Sequence, residues 1–191
     1  MLRITLAAAA VCAASGIANA APVQWTSGAG ANNHWYEFVT AALNPTAAET
    51  AAESSNYLGM DGYLATITSS LEQAFLTSIR PDNARYLIGA SDRDNEGVFK
   101  WIGGPEEGQT LSYSNWSQGE PNDFGTGEDY AVAWWFKWNH GDVWNDVSDK
   151  GKFSYLVEYS TSPAVVPLPA GLPLLLGGLA LLGLAGRRRR G

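Results

Sequence analysis

The stretch that decides the fold is Glu120-Pro121-Asn122-Asp123, which is followed by Glu128-Asp129 and, further along the chain, by Trp144-Asn145-Asp146. The three segments combine carboxylates with carboxamides around residues that favour tight turns. Oxygen atoms of these two kinds are the ligands that proteins use for hard cations such as calcium. If the segments meet in the folded chain, they predict a calcium site. The first segment on its own also fits an ordinary solvated turn.

The N-terminal end of the 191-residue chain has the pattern of an export signal. Arg3 is followed by an alanine-rich apolar run that finishes in Ala18-Asn19-Ala20, which is typical of a signal peptidase site. We therefore expect residues 1–20 to be a signal peptide and the exported domain to cover residues 21–162.

The C-terminal segment, residues 163–191, combines three features in order. It contains Val166-Pro167-Leu168-Pro169-Ala170, then an apolar run, then the arginines at 187–190. The run is marginal for a membrane span, which needs about 20 residues, and the arginines favour the cytoplasmic side. The segment therefore has the pattern of a stop-transfer tail.

This tail resembles the PEP-CTERM class of sorting signals, in the variant with a VPLPA motif. The resemblance implies an exported protein of a Gram-negative bacterium that is anchored in the membrane through its tail. An exosortase-type protease would then cut at the motif, and the protein would remain at the cell surface or in the extracellular matrix. A plain C-terminal membrane anchor is the alternative.

The domain between the two ends is strongly acidic. Five of the 12 basic residues and none of the 19 acidic residues lie in the end segments, which leaves 7 against 19 and a net charge of −12. Such a surface repels phosphate backbones and attracts cations, so nucleic acid is not expected as a partner. The only cysteine, Cys12, lies in the signal peptide, so the domain depends on its core or on metal for stability.

The first half of the domain predicts two helices. Thr46 and Glu49 have capping-box spacing and predict a helix that ends near Tyr57, with a strand following at residues 63–67. A second capping box opens another helix, which Pro81 closes. The second box and the apolar face of its helix consist of Ser69 with Glu72, and of Leu71, Phe75 and Ile79.

The second half predicts short strands around a long loop. Apolar runs predict strands at residues 86–89, 98–101, 130–136 and 153–159, of which 130–136 is apolar enough to be central. Residues 103–127 show no regular element. A loop of this length in a compact domain is usually functional. The sequence therefore predicts a single α+β domain.

The order of these motifs resembles a C-type lectin domain over about residues 34–159. The motifs that carry the resemblance are the two helices, Leu87-Ile88-Gly89, Phe99-x-Trp101, Glu120-Pro121-Asn122, Trp144-Asn145-Asp146 and Tyr155-Leu156-Val157-Glu158. The resemblance implies a C-type lectin-like fold with two helices, short antiparallel sheets and a long calcium-binding loop. It also implies a cis Glu120–Pro121 peptide.

The resemblance further implies Ca²⁺ as the cofactor and carbohydrate as the ligand. In sugar-binding members, one set of residues binds the principal calcium ion and also hydrogen-bonds two vicinal hydroxyls of the sugar. In this chain that set is Glu120, Asn122, Glu128, Asn145 and Asp146. Glu-Pro-Asn is the arrangement of members with mannose-type preference, which select equatorial 3- and 4-hydroxyls. A second calcium is implied at Asp92, Glu96, Asp123 and Asp129, where a plain acidic loop is the alternative.

Other functions remain open at this stage. Paired carboxylates could hydrolyse glycosides, but amides interleaved with acids suit calcium better than proton transfer, so we do not expect an enzyme. The stronger alternative is a calcium-stabilised protein-binding, matrix or adhesion component without sugar binding. The natural carbohydrate would be an exopolysaccharide or a cell-surface glycan. The tryptophans Trp134, Trp135 and Trp138 fit core packing or a sugar-stacking platform, whereas Trp144 is expected in the core.

Overall fold

The computed structural model describes residues 20–81, 84–125, 127–134 and 143–161. The predicted tail at 163–191 and all but the last residue of the predicted signal peptide lie outside these residues. Within the four described ranges, no helix combines the length and the apolar character that crossing a bilayer requires.

The described part of the chain contains two helices and nine strands. In chain order they are β1 Val23–Gln24, β2 Trp35–Leu43, α1 Pro45–Glu53, β3 Asn56–Tyr57, β4 Met60–Leu64, α2 Ser70–Ile79, β5 Tyr86–Ser91, β6 Lys100–Trp101, β7 Tyr130–Ala133, β8 Asn145–Val147 and β9 Phe153–Tyr159. This confirms the α+β class and the two helices that the sequence predicts.

The strands form one mixed sheet rather than several short antiparallel ones. Six strands follow the order β1-β2-β9-β5-β7-β8, while β4 pairs with β3 and β9, and β6 pairs with β5. The β5–β9 pair is parallel and the other pairs are antiparallel. β7 lies inside this order, which confirms that its apolar run is a central strand.

β2 is the longest of the described strands, and no sequence pattern predicted it. It pairs with β9 from Trp35↔Tyr159 to Val39↔Tyr155, so the two ends of the domain are joined side by side. Buried and exposed residues do not alternate regularly along β2, so its sequence lacks the pattern of a half-buried strand. The pairing partner lies more than 100 residues away, so no local pattern reveals it.

The core has an apolar cluster on each face of the sheet. In β5, Ile88 belongs to one cluster and Leu87 to the other, because successive side chains of a strand point to opposite faces. Leu76 of α2 joins the cluster of Ile88, and Ala52 of α1 joins the cluster of Leu87. Each helix therefore covers a different face. Trp134 is fully buried in the core, whereas Trp135 and Trp138 lie outside the described residues.

The predicted start and end of α1 are wrong. Its N-cap is Asn44, with Pro45 at the first helical position, and the Thr46 amide donates to Asp149 Oδ1 at 2.8 Å. Proline is favoured at this position because the first amides of a helix have no partner inside it. The helix ends at Glu53 instead of near Tyr57, because residues 56–57 pair with β4.

The predicted start of α2 is confirmed, but its predicted apolar face is only partly correct. Ser69 is the N-cap and its hydroxyl accepts from the Glu72 amide at 3.2 Å. Leu71 is 48% exposed, while Glu72 and Gln73 are buried beside Leu76. The two polar side chains are buried because distant residues pair with them, which helical periodicity does not reveal.

The ends of four strands also differ from the prediction. β5 continues to Ser91 instead of ending at residue 89, and β7 ends at Ala133 instead of residue 136. β4 ends at Leu64, although the Ala65 amide still donates to the carbonyl of Leu156 at 2.9 Å. β6 contains only Lys100 and Trp101, so residues 98–99 lie outside it.

Candidate functional site

The Glu-Pro-Asn segment reaches the Trp-Asn-Asp segment through a short backbone pairing. The Trp144 amide donates to the Asn115 carbonyl at 2.7 Å, and the Ser117 amide donates to the Trp144 carbonyl at 2.8 Å. The Glu120 amide then donates to the Ser117 carbonyl at 2.9 Å, which turns the chain. Residues 115–117 therefore run beside Trp144, directly before β8, and the turn to Glu120 follows.

Trp144 fixes the position of β8 in the core. Its indole Nε1 donates to Gln73 Oε1 of α2 at 2.8 Å, and the side chain is fully buried. The ring makes edge contacts with Trp101, Tyr113 and Trp116. A buried indole is stable only with a partner for its N–H group, and Gln73 supplies it. Trp144 is thus a core residue, as the sequence predicts.

Asp146 connects the two motifs directly. Its Oδ2 accepts from the backbone amides of Asn122 at 2.9 Å and Asp123 at 2.8 Å. The residue is 1% exposed, and its Oδ1 is buried without a hydrogen-bond donor from the described protein. A buried carboxylate oxygen without a donor is unfavourable, so it favours a bound cation. Oxygen donors of this kind fit calcium.

Glu128 completes the group around Asp146. Its amide donates to Asp123 Oδ1 at 2.9 Å, and its Oε2 accepts from the Phe124 amide at 3.0 Å. Burial raises the pKa of Glu128, as do the negative charges of Asp146, Glu120 and Asp123. These acids are therefore close enough to repel one another. The Glu120–Pro121 peptide is cis, which confirms the conformation that the resemblance implies.

The five residues predicted for the principal site thus lie on adjoining segments. Asn145 directly precedes Asp146 in β8 and is buried, and its side-chain amide contacts the Asp146 carbonyl. In the described chain, however, Glu120, Glu128 and Asp146 do not gather into a trio with oxygens within 4.8 Å of one another.

The acids predicted for the second site gather more closely. Asp92, Glu96 and Asp129 each offer an oxygen within 4.8 Å of the others. The Asp92 amide donates to the Asp129 carbonyl at 3.2 Å, and Asp92 Oδ2 accepts from the Gly97 amide at 2.9 Å. Asp92 Oδ1 is buried without a donor from the described residues. The donor set again fits calcium.

Negative charge accumulates across both groups. Burial raises the pKa of Asp92 against the opposing Gly97 hydrogen bond, and the charges of Asp129 and Asp146 add to the rise. The charge of Asp92 is the largest cause of the raised pKa of Glu96, to which Asp123 and Asp129 also contribute. Asp123 is outside the trio of the second site, and its Oδ1 accepts a hydrogen bond from the Glu128 amide. It lies between the two groups and links them.

The cation nearest to the second site in sequence is directed elsewhere. Arg93 follows Asp92, but its two terminal nitrogens contact Glu49 of α1 at 2.6 and 2.9 Å. The guanidinium also lies 6.0 Å from the centre of the Tyr130 ring. Arg93 thus holds the loop against α1.

A third group of acids was missed by sequence analysis. Glu158 of β9 and Glu72 of α2 are both buried, and His34 Nδ1 lies 2.5 Å from Glu158 Oε1. Tyr36 donates to Glu72 Oε1 at 2.5 Å. The signal that could have found this group is Glu158 itself, since it is a charged residue inside the apolar run of a strand.

The chain is similar to proteins of one known family. A model of the family "Lectin C-type domain" matches residues 47–156. Halomucin of Haloquadratum walsbyi is 38% identical over 139 residues, which are 67% of this chain and 1% of halomucin. C-type lectin domain family 4 member E of Homo sapiens is 36% identical over 98 residues, which are 51% of this chain and 43% of that protein. The chain therefore spans less than half the length of either relative.

A solved structure matches along its whole length. The C-type carbohydrate-recognition domain of cow CD23, determined in the presence of a GlcNAc2Man3 oligosaccharide, superposes with a TM-score of 0.57 at 31% identity. The match covers 76% of this chain and 100% of that domain. Proteins of this fold are generally binding proteins and not enzymes.

Proposed function

This chain belongs to the C-type lectin domain family, and on that premise we propose that it binds carbohydrate in a calcium-dependent manner with mannose-type specificity. The observation that carries the proposal is Asp146. One of its carboxylate oxygens holds the backbone of the Glu-Pro-Asn segment, and the other is buried without a donor from the described protein. A cation ligand and an organiser of the loop are thus combined in one side chain.

The donor set suits both calcium and a sugar. The residues that would hold the ion are Glu120, Asn122, Glu128, Asn145 and Asp146. Bound calcium would supply coordination positions for two neighbouring hydroxyls of a sugar, because it accepts six to eight oxygens in flexible geometry. The carboxylates can accept hydrogen bonds from those hydroxyls, and the amides of Asn122 and Asn145 can donate to them. Hydrogen bonds to the ionised carboxylates are the stronger kind.

A glycan array tests the proposal. The full chain should bind mannose-type glycans in millimolar calcium and lose them when EGTA is added. Binding that survives chelation, or no binding to any glycan in millimolar calcium, would overturn it.

The proposed mannose-type preference rests on the order of acid and amide in the Glu-Pro-Asn segment. Glu120→Gln combined with Asn122→Asp exchanges the positions of donor and acceptor around the ion. The double variant should shift preference towards galactose-type hydroxyls while keeping calcium dependence. An unchanged ranking of sugars on the array would show that these two residues do not set specificity.

A second candidate function is a calcium-stabilised protein-binding, matrix or adhesion component without sugar binding. The observation that favours it is the closer group of Asp92, Glu96 and Asp129, whose role would be to order the loops. This function predicts that calcium raises the melting temperature while the array stays blank. We propose no catalytic role for any of these carboxylates.

The route of export is proposed from the sequence patterns of the two ends. The signal peptide at residues 1–20 would direct export from a Gram-negative bacterium, and the tail at 163–191 would anchor the protein until an exosortase-type protease cuts it. The mature protein would then meet an exopolysaccharide or a cell-surface glycan. Mass spectrometry of the secreted protein should show Ala21 as the first residue and an end near residues 166–170. An intact tail would favour a plain membrane anchor.

A further inference from the structure

Trp144 joins the two halves of the principal site through its backbone. Its amide donates to the Asn115 carbonyl at 2.7 Å, and its carbonyl accepts from the Ser117 amide at 2.8 Å, on the segment that leads to Glu120. Asp146 follows two positions later, in β8. Successive side chains of a strand point to opposite faces, so the side chains of Trp144 and Asp146 share a face. A shift of Trp144 would therefore move ligands of both motifs.

The orientation of the Trp144 ring depends on one hydrogen bond. The ring is fully buried and lies against the rings of Trp101, Tyr113 and Trp116. Its Nε1–H is the one polar group of the indole, and it donates to Gln73 Oε1 of α2 at 2.8 Å. Hydrophobic contact is non-directional, whereas a hydrogen bond weakens steeply as it bends. Gln73 therefore determines how Trp144 is oriented within its apolar surroundings.

Gln73 is itself held in place on α2. It is 4% exposed, and its Nε2 donates to Thr77 Oγ1 at 3.4 Å. Thr77 Oγ1 also accepts from Trp134 Nε1 at 3.1 Å, which a hydroxyl with two lone pairs allows. The preceding Glu72 fixes the start of the helix, since its Oε2 accepts from the Thr68 amide at 2.7 Å. Gln73 is thus an oriented acceptor on an anchored helix.

We propose that Gln73 is a positioning residue for the principal calcium site, and that it sets the calcium affinity of this site through Trp144. This inference rests on the proposed function, because it requires that the principal site binds calcium. Gln73 precedes Trp144 by 71 positions and acts by holding the residue next to the Asn145–Asp146 ligands. Replacing a residue that orients metal ligands typically weakens metal binding by about ten- to a hundredfold.

The test measures calcium binding to the full chain by calorimetry, at a temperature where the variants are folded. The binding step of the principal site is the one that Asp146→Asn removes. Gln73→Met keeps the approximate size of the side chain without a strong acceptor, and it should weaken this step by about ten- to a hundredfold. Tyr63→Phe is the matched control, because it removes a buried hydrogen bond to Ser160 that involves no residue of the site. It should change calcium affinity by less than about twofold.

Two further measurements separate positioning from general stability. Trp144→Phe keeps an aromatic ring and removes the donor. In that background Gln73→Met should change calcium affinity by less than about twofold, because no N–H group remains to be held. In EGTA, the Trp144 Nε1–H of the unaltered chain should exchange slowly with solvent, and its NMR signal should move upfield in Gln73→Met. This last measurement needs neither calcium nor sugar.

The outcomes separate this inference from the proposed function. A Gln73→Met chain that binds calcium as tightly as Tyr63→Phe, or an equal loss in the Trp144→Phe background, would overturn the positioning role while leaving calcium binding in place. If Gln73→Met does not fold, Trp144→Phe alone decides: a loss of about tenfold supports the role, and an unchanged affinity overturns it. An unaltered chain that binds no calcium at millimolar concentration would overturn the proposed function, and the positioning role with it.

Discussion

The acids of the two predicted calcium sites, called the loop acids below, differ from the carboxylates of the core in how their oxygens are satisfied. In the core, Glu72 Oε2 accepts from the amide and hydroxyl of Thr68, and Glu158 Oε2 accepts from the amide and hydroxyl of Thr66. In the loop region, Asp146 and Asp92 each keep a buried oxygen without a donor from the described protein. The core acids are therefore held by the protein itself, whereas the loop acids are suited to a cation.

This difference separates structural acids from functional ones better than burial does. Glu158, Glu72 and Asp146 are all almost fully buried, yet only Asp146 has an oxygen without a donor among the described residues. Buried polar groups are normally hydrogen-bonded, so the exceptions point to a missing partner.

The largest effect is expected from Asp146→Asn. The amide can still accept from the backbone of the Glu-Pro-Asn segment, but it removes the charge that would bind calcium. Calcium-dependent glycan binding should fall roughly 100-fold or more, as measured by calorimetry in millimolar calcium. Asp61→Asn is the control, since Asp61 is an exposed acid that contacts Asn56. Equal losses in both variants would show a general effect of charge and not a cation ligand.

Calcium should raise the melting temperature of the domain, because it would bind the loop acids in the folded state alone. The core acids should contribute nothing to this rise. Binding to the folded state alone contributes about 2.7 kcal/mol at 100 times Kd, which corresponds to a rise in Tm of about 5–10 °C. Asp92→Asn should reduce this rise because it removes a carboxylate of the second site. The measurement is a thermal scan with calcium and with EGTA. A Tm that does not depend on calcium would contradict a stabilising role for either site.

The core acids should make stability depend on pH. Burial lowers the pKa of His34, but the hydrogen bond to Glu158 and the charges of Glu158, Glu72 and Glu106 outweigh it and raise the pKa overall. Burial and the charge of Glu158 raise the pKa of Glu72 to about 7. Both groups hold protons more tightly in the folded state, so stability is lost as the pH rises through these folded-state pKa values.

The expected loss between pH 5.5 and 8 is on the order of 2 kcal/mol. Thermal scans in EGTA across this range measure it, and the loss should be smaller in His34→Gln, which keeps a donor but does not titrate. Stability that increases towards pH 8 would contradict the assignment.

The smallest effect is expected from the ion pair between Arg93 and Glu49. Both side chains lie near the surface, so Glu49→Gln should cost less than about 1 kcal/mol of stability. The pair holds the loop of the second site against α1, so calcium affinity should weaken slightly as well. A double-mutant cycle with Arg93→Gln measures the coupling between the two side chains. A coupling near zero would mean that the pair does not position the loop.

Sequence patterns were most reliable where the signal was local. The Ser69 cap, the central strand at Tyr130, the cis proline and the buried Trp144 all follow from short motifs or from the resemblance that they carry. The predicted start of α1 is wrong because the partner of the Thr46 amide is Asp149, about 100 residues away. β2 was missed for the same reason, since its partner is the last strand of the domain.

The sequence by itself determined which chemistry is available. It placed carboxylates and amides in the Glu-Pro-Asn and Trp-Asn-Asp segments, and their order indicated the family. Tertiary structure alone decided which acids are satisfied by the protein, because the donors to Glu72 and Glu158 come from residues as much as 124 positions apart. A carboxylate has the same chemistry in both places, and only the surrounding donors determine whether it stabilises the core or remains available to a cation.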